Sequence, residues 1–229
     1  MKKVHCPFLV VNPKSYLYGK SSLALAKAAD EIAKQTNLQI FFTCPFTDIR
    51  YINDNTNYIT VTAQHMEALR PGRGMGRILP ESLKEAGANA VFLNHAENSM
   101  TVAELSKTIM RAKELDITTI VCADSVAEAV AIAKMGPDIL LCEPTELIGT
   151  GQVADTRYVL DTTEKIKAID PTIAVMIASG VTTADDVYNV IRLGADGTGA
   201  TSGILNAPDP AIRIKEMAKA ILKAQKEKE

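Results

Sequence analysis

Tryptophan is absent from the chain, and aromatic residues of any kind make up only 5% of its 229 residues. A nucleic-acid surface that stacks bases on aromatic rings is therefore poorly supplied. Positive charge is not in surplus either, because 25 lysines and arginines stand against 27 aspartates and glutamates. A net charge of −2 provides no basic face for a phosphate backbone, so we expect no nucleic-acid partner.

Long hydrophobic runs are also missing. No apolar stretch approaches the roughly 20 residues that cross a bilayer, so we expect no membrane partner. Residues 1–7 are basic but lack the small-residue cleavage site of a signal peptide, which favours a cytoplasmic protein.

Cysteine is scarce, and its spacing suggests no special role. The four cysteines are Cys6, Cys44, Cys122 and Cys142, and they form no C-x-x-C pair and no metal-ligand pattern. Each lies in or beside an apolar run, which favours packed, reduced thiols. We therefore expect no metal site.

Short apolar, β-branched runs alternate with helical patterns along the whole chain. The predicted strands are residues 8–12, 39–44, 59–64, 90–95, 118–123, 139–143, 173–178 and 197–202. Eight units in 229 residues give about 29 residues each, the size of a βα repeat. The run Ile139-Leu140-Leu141 is apolar at successive positions, which is typical of parallel strands buried on both faces. We expect an α/β fold, a (β/α)8 barrel that spans residues 1–229 as a single domain.

Signals for helix starts agree with this division. Residues 101–104 and 183–186 have the pattern of capping boxes, and Asp209-Pro210 places an N-cap before a proline. A doubly wound open sheet is the alternative fold. Such sheets usually carry G-x-G-x-x-G after the first strand, where this chain has Asn12-Pro13-Lys14.

Functional residues of such a barrel lie at the carboxyl ends of its strands. The first predicted strand leads to Asn12 and Lys14, the fourth to His95 and Glu97, and the sixth to Glu143. Turns that contain glycine follow the last three strands, at residues 148–151, 179–180 and 201–203. Their backbone N–H groups are suited to an anion. A carboxylate, an imidazole and a cation beside an anion cradle favour proton transfer next to a carbonyl.

Each of these residues also has a simpler interpretation. Lys14 is equally consistent with a solvated loop lysine, and the glycines with ordinary turns. Glu143, however, directly follows a buried apolar run, where a charge without a role is costly. His5 and His65 are interpreted as packed core histidines.

Three motifs stand at these strand ends: Asn12-Pro13-Lys14, Asn94-His95-Ala96-Glu97 and Glu143-Pro144-Thr145-Glu146-Leu147-Ile148-Gly149-Thr150-Gly151. In this order they resemble the N-x-K, H-S-E and E-P-x-x-x-I-G-T-G motifs of the triosephosphate isomerase family. The resemblance covers nearly the whole chain, and the short length and missing Trp resemble the archaeal branch. It implies a TIM barrel that interconverts dihydroxyacetone phosphate and D-glyceraldehyde 3-phosphate in glycolysis and gluconeogenesis, with no cofactor.

The resemblance also implies a role for each residue of the site. Glu143 is the base that moves a proton between C1 and C2, and His95 is the neutral electrophile that polarises the carbonyl. Lys14 and Asn12 favour the anionic substrate and its oxyanion, and Glu97 supports them. The phosphate-binding residues are Asn12, Lys14, Ile148, Gly149, Gly180, Thr201 and Ser202. Residues 144–151 form a lid over the substrate.

The chain departs from the family pattern at three places. Ala96 replaces the serine that accepts the catalytic glutamate in its open state, and we expect a modest effect on rate. Thr201-Ser202 replaces a glycine pair, although the N–H donors remain. In the loop 70–77, which resembles the family's subunit-interlocking loop, Met75 stands where a threonine usually enters the neighbouring subunit. We still expect a homo-oligomer, with a tetramer favoured over a dimer.

Two other function classes stay open. One is another phosphate-binding barrel enzyme, such as a sugar-phosphate epimerase or a tryptophan-pathway enzyme. A metal-dependent epimerase needs His and Asp ligands at strand ends, where only His65 and His95 are available. The other class is an inactive or repurposed relative that binds a phosphorylated ligand, which Ala96 and Met75 keep open.

Overall fold

The computed structural model describes residues 4–143 and 156–228, and its eight parallel strands close into a barrel in chain order. The strands are β1 (Phe8–Val11), β2 (Gln39–Cys44), β3 (Thr60–Ala63), β4 (Ala90–Leu93), β5 (Thr118–Ala123), β6 (Ile139–Cys142), β7 (Ala174–Ile177) and β8 (Gly197–Ala200). Because β1 pairs with both β2 and β8, no strand edge is left open. The predicted (β/α)8 barrel is confirmed, although most strands are one or two residues shorter than predicted.

Helices follow the strands and form the outer layer. They are α1 (Gly19–Thr36), α2 (Ile49–Asn53), α3 (Pro80–Ala86), α4 (Val102–Glu114), α5 (Val126–Ala133), α6 (Thr156–Ile169), α7 (Ala184–Arg192), α8 (Ser202–Leu205) and α9 (Pro210–Lys226). The predicted capping boxes start α4 at Thr101 and α7 at Thr183, and the Asp209 carboxylate caps α9. Among the described residues, no helix is long and apolar enough to cross a membrane.

The barrel interior is filled by side chains of alternating size. The rings of Phe8 on β1 and Phe41 on β2 meet edge to face, with centroids 5.4 Å apart. Gly197 on β8 provides the space, because a Cβ there would lie 2.3 Å from the Phe8 ring. Residues of the opposite parity, such as Leu9 and Ile40, are fully buried against the helices. The predicted burial of both strand faces is thus confirmed.

Two aspartates tie neighbouring strands together at the amino-terminal end of the barrel. Asp138, before β6, accepts the N–H of Thr119 on β5 at 2.8 Å. Asp196, before β8, accepts the N–H of Val175 on β7 at the same distance. This end of a TIM barrel is the one usually devoted to stability, which leaves the opposite end free for a site.

The burial expected for three side chains is wrong. His5 and Cys6 are exposed, because they precede β1 and lie outside the strand pairing that begins at Phe8. His65 is only half-buried, at the other end of the barrel. The remaining cysteines are buried free thiols, as expected: Cys44, Cys122 and Cys142.

Candidate active site

The carboxyl ends of the strands surround a cavity of about 570 Å³. Eight residues predicted for the site line it: Asn12, Lys14, His95, Glu97, Glu143, Gly180, Thr201 and Ser202. Its floor consists of interior barrel side chains, among them Val10, Phe92 and Leu141. Ile148, Gly149 and the predicted lid at residues 144–151 lie outside the described residues.

Lys14 enters the cavity from a left-handed backbone with φ 47°. Its N–H donates to Oδ1 of Asn12 at 3.0 Å, and its carbonyl accepts from Nε2 of Gln64 at 2.8 Å. A left-handed residue other than glycine costs about 1–3 kcal/mol and persists where its surroundings hold it, as these two bonds do. The ammonium donates to Glu97 at 2.5 Å, and this bond is the main cause of the lowered pKa of Glu97.

Asn12 is oriented by two donors on one oxygen. Its Oδ1 accepts the Thr43 hydroxyl at 2.5 Å as well as the N–H of Lys14. Among the described residues no acceptor is paired with its amide nitrogen. Because this nitrogen lies on a residue that lines the cavity, its N–H groups are free to donate to a ligand oxyanion.

His95 is held as a neutral hydrogen-bond donor. Its Nδ1 accepts the N–H of Glu97 at 3.1 Å, so the neutral ring carries its proton on Nε2. Burial lowers the pKa of His95 and the positive charge of Lys14 lowers it further, while Glu97 opposes this change. At pH 7 the ring is therefore uncharged, and its Nε2–H is available to polarise a carbonyl.

Glu143 follows the last residue of β6, and its N–H donates to the carbonyl of Ala123 on β5 at 3.0 Å. Burial raises the pKa of this carboxyl; Lys14 opposes the change and Glu97 adds to it. Within residues 4–143 and 156–228, no group donates a hydrogen bond to the carboxylate. A carboxylate in this setting is a stronger base than one in water.

Part of the cavity wall consists of the turns that follow β7 and β8. Gly180 follows β7 with φ 68°, and Thr201 and Ser202 follow β8. The next residue, Gly203, permits close contact between the turns, because a Cβ there would lie 2.6 Å from Cα of Thr182. The first N–H groups of α8 have no intrahelical acceptor, so this wall offers donors to an anion.

Comparison with known proteins fits this geometry. A sequence profile described as triosephosphate isomerase matches residues 7–221. The chain belongs to the triosephosphate isomerase family. The triosephosphate isomerase of Methanothermus fervidus is 33% identical over 216 residues, which are 92% of this chain and 97% of that protein. That of Sulfolobus acidocaldarius is 33% identical over 227 residues, 97% of this chain and 98% of its own. That of Methanocaldococcus jannaschii is 34% identical over 218 residues, 93% and 99% respectively.

Two residues that support this family site were not predicted for it. Gln64 directly follows β3, so the rule that selects strand ends could have included it. Thr43 lies inside β2, and nothing in its sequence context marks it. A second cavity of about 200 Å³ beside Lys14 also brings in His65, which was assigned to the core.

Proposed function

We propose that this protein interconverts dihydroxyacetone phosphate and D-glyceraldehyde 3-phosphate through an enediolate, without a cofactor. One observation carries the proposal: Lys14, His95 and Glu143, from three different strand ends, line a single cavity. A cation, a neutral donor and a strengthened carboxylate are the groups that proton transfer beside a carbonyl requires.

In this proposal Glu143 takes the proton from C1 of the ketone and returns it to C2. His95 donates from Nε2 to the carbonyl oxygen, which becomes an enediolate oxygen as the C1–H bond breaks. The proton of the C1 hydroxyl then passes through His95 to this oxygen, and C1 becomes the aldehyde carbonyl as Glu143 returns its proton to C2. A neutral imidazole suits this step, since it stabilises the developing oxyanion while keeping its own proton available. Lys14 and the Asn12 amide supply positive charge and a donor to the same oxygens.

We propose that the phosphate binds against the turns after β7 and β8. Gly180, Thr201 and Ser202 supply backbone N–H donors there, and Ile148 and Gly149 join them in the proposal on the strength of the family motif. Such donors recognise the phosphate without a local surplus of basic side chains.

The decisive experiment compares Glu143→Gln with the wild type in a coupled isomerase assay. Loss of a positioned base costs about 10²–10⁴ in kcat, while Glu164→Gln, an exposed change on α6, leaves kcat unaltered. Turnover that survives Glu143→Gln contradicts the role of Glu143. A wild type that binds phosphoglycolate tightly without turnover would instead be a phosphate-ligand binding protein.

The proposal extends to cell compartment, pathway and assembly. The free thiols support a reducing compartment, for which we propose the cytoplasm. We also propose that the protein is an archaeal-type short form and that its reaction serves glycolysis and gluconeogenesis.

Met75 is fully exposed at the tip of the loop 70–77, and Arg111 anchors this loop by donating to the Leu69 carbonyl. An apolar tip on an anchored loop supports a homo-oligomer, and the family resemblance favours a tetramer over a dimer.

A further inference from the structure

The Glu128 carboxylate links the loops that follow β4 and β5. Its Oε2 accepts the N–H of Asp124 at 2.7 Å, within its own βα unit. Its Oε1 accepts from Nδ2 of Asn94, the residue before His95, at 3.0 Å. A side chain outside the main cavity thus contacts the side chain of Asn94, the residue directly before His95.

This use of Glu128 differs from that of comparable residues in the described part of the chain. Glu104 and Asp186 occupy the same third position of α4 and α7, and each bonds only to the threonines at the start of its own helix. Glu128 occupies this position of α5, behind the Ser125 N-cap, yet one of its oxygens bonds across to the neighbouring strand end. Helix capping alone does not account for that second bond.

The backbone of Asn94 has a left-handed conformation, with φ 57°, which requires stabilising contacts in a residue other than glycine. Its Nδ2 donates to the Cys122 carbonyl at 3.0 Å and to Glu128, and its Oδ1 accepts the N–H of Met100 at 2.9 Å. Both amide hydrogens are therefore used, and the Glu128 bond is the one with a charged acceptor. Charge-assisted bonds are roughly twice as strong as neutral ones, so Glu128 contributes most per bond to this turn.

Packing among the described residues leaves space beside this turn. Behind His95 lies a separate cavity of about 260 Å³, and its walls include Asn94, Ala96, Glu128 and Glu143. Ala96 fills little of that space. Because the described residues leave space on this side of the turn, we infer that the hydrogen bonds of Asn94 help to fix the direction of His95.

We propose that Glu128 is a positioning residue for His95, acting through its hydrogen bond to Asn94. The inference rests on the proposed function, since it concerns how the electrophile of that reaction is aimed. Glu128 does not line the main cavity, so we expect it not to contact the substrate. Its loss should lower the rate of the chemical step and leave binding of the substrate phosphate intact.

The first test compares Glu128→Ala, Glu128→Gln and the control Glu104→Ala, which removes a carboxylate at the same position of another helix. For Glu128→Ala we expect kcat to fall about tenfold or more with KM changed less than twofold, because misdirection of a catalytic group affects the transition state. Glu128→Gln keeps an acceptor for Asn94 but loses the charge and the second acceptor, so its kcat should lie between those of Glu128→Ala and the wild type. Glu104→Ala should keep the wild-type kcat. Equal kcat in Glu128→Ala and Glu104→Ala would overturn the proposal.

The second test places Glu128→Ala in an Asn94→Gly background, where glycine adopts the left-handed backbone without help. The effect of Glu128→Ala on kcat should then shrink to less than twofold, and an undiminished effect would contradict a route through Asn94. The ¹⁵N shift of His95 Nδ1, which reports the bond from the Glu97 N–H, should change in Glu128→Ala and not in Glu104→Ala. This readout needs no turnover, so it still decides the proposal if the wild type fails the isomerase assay, which would refute only the proposed function.

Discussion

Gly203 is the position at which one added carbon tests the turns after β7 and β8, where we propose that the phosphate binds. A Cβ there would lie 2.6 Å from Cα of Thr182 and 2.7 Å from the Val181 carbonyl oxygen, whereas ordinary contacts begin at 3.4 Å. The shortfall of about 0.8 Å falls on backbone atoms, which cannot rotate away as the end of a side chain does. For Gly203→Ala we expect the free energy of unfolding to fall by about 1–3 kcal/mol, the usual cost of overpacking.

The same steric clash should also lower the catalytic activity. If α8 moves away from the turn after β7, the N–H groups of Thr201 and Ser202 move with it. A displacement near 1 Å costs up to about 10² in rate, so we expect kcat/KM for the triose phosphate to fall about 10- to 100-fold.

Urea unfolding and initial-rate measurements separate these two effects when Gly194→Ala is the control. Gly194 follows α7 with φ 117°, and a Cβ added there would meet no atom within 4 Å, so alanine strains the backbone without a collision. We expect this control to lose about 1–2 kcal/mol of stability and to keep its kcat/KM, because it does not line the cavity. A Gly203→Ala protein with wild-type stability, or with wild-type kcat/KM, would refute the argument from backbone contact.

Two further predictions concern pH and assembly. Because burial raises the pKa of Glu143 above its ordinary value of 4.5, the folded protein binds this proton more readily than the unfolded chain, and stability falls as pH rises past 4.5. Glu143→Gln should therefore unfold at a higher urea concentration than the wild type at pH 7, and this difference should vanish below pH 4.5. A variant that is less stable than the wild type at pH 7 would contradict the conclusion that burial raises the pKa of Glu143. Met75→Asp should weaken self-association in sedimentation velocity, since a charge at the exposed loop tip resists burial, while Ile212→Asp on α9 should not. An unchanged oligomer in Met75→Asp would remove the loop tip from the interface.

The fold could be predicted because its signals are local. Each strand is a short apolar run, and helix starts such as Thr101 and Asp209 carry caps that a single sequence displays. The fit between Gly197 and the Phe8 ring could not be predicted, because it joins residues far apart in sequence. The burial expected for His5 and Cys6 was wrong for a related reason, because it depends on which segments cover the amino-terminal end of the barrel.

Eight of the residues that line the cavity could be predicted from the sequence, while Ile148 and Gly149 lie outside the described residues. Lys14, His95 and Glu143 follow strand ends, and parallel strands bring their ends together. Their conformations were not predictable. The left-handed backbone of Lys14 depends on Gln64, and nothing near Lys14 in the sequence indicates it.

Two asparagines show how the barrel converts topology into precision. Asn12 lies two residues before Lys14, and Asn94 lies directly before His95, and each amide bonds to the next strand along the barrel. In both places the neighbouring βα unit contributes a bond to the asparagine: Thr43 donates to the amide of Asn12, which also accepts from the left-handed Lys14, and Glu128 accepts from the amide of the left-handed Asn94. A variant can therefore keep all three motifs and still have misoriented side chains in the site, because a residue in the adjoining βα unit has changed. The geometry of this site depends on pairs of neighbouring βα units, and substitutions outside the three motifs can measure that dependence.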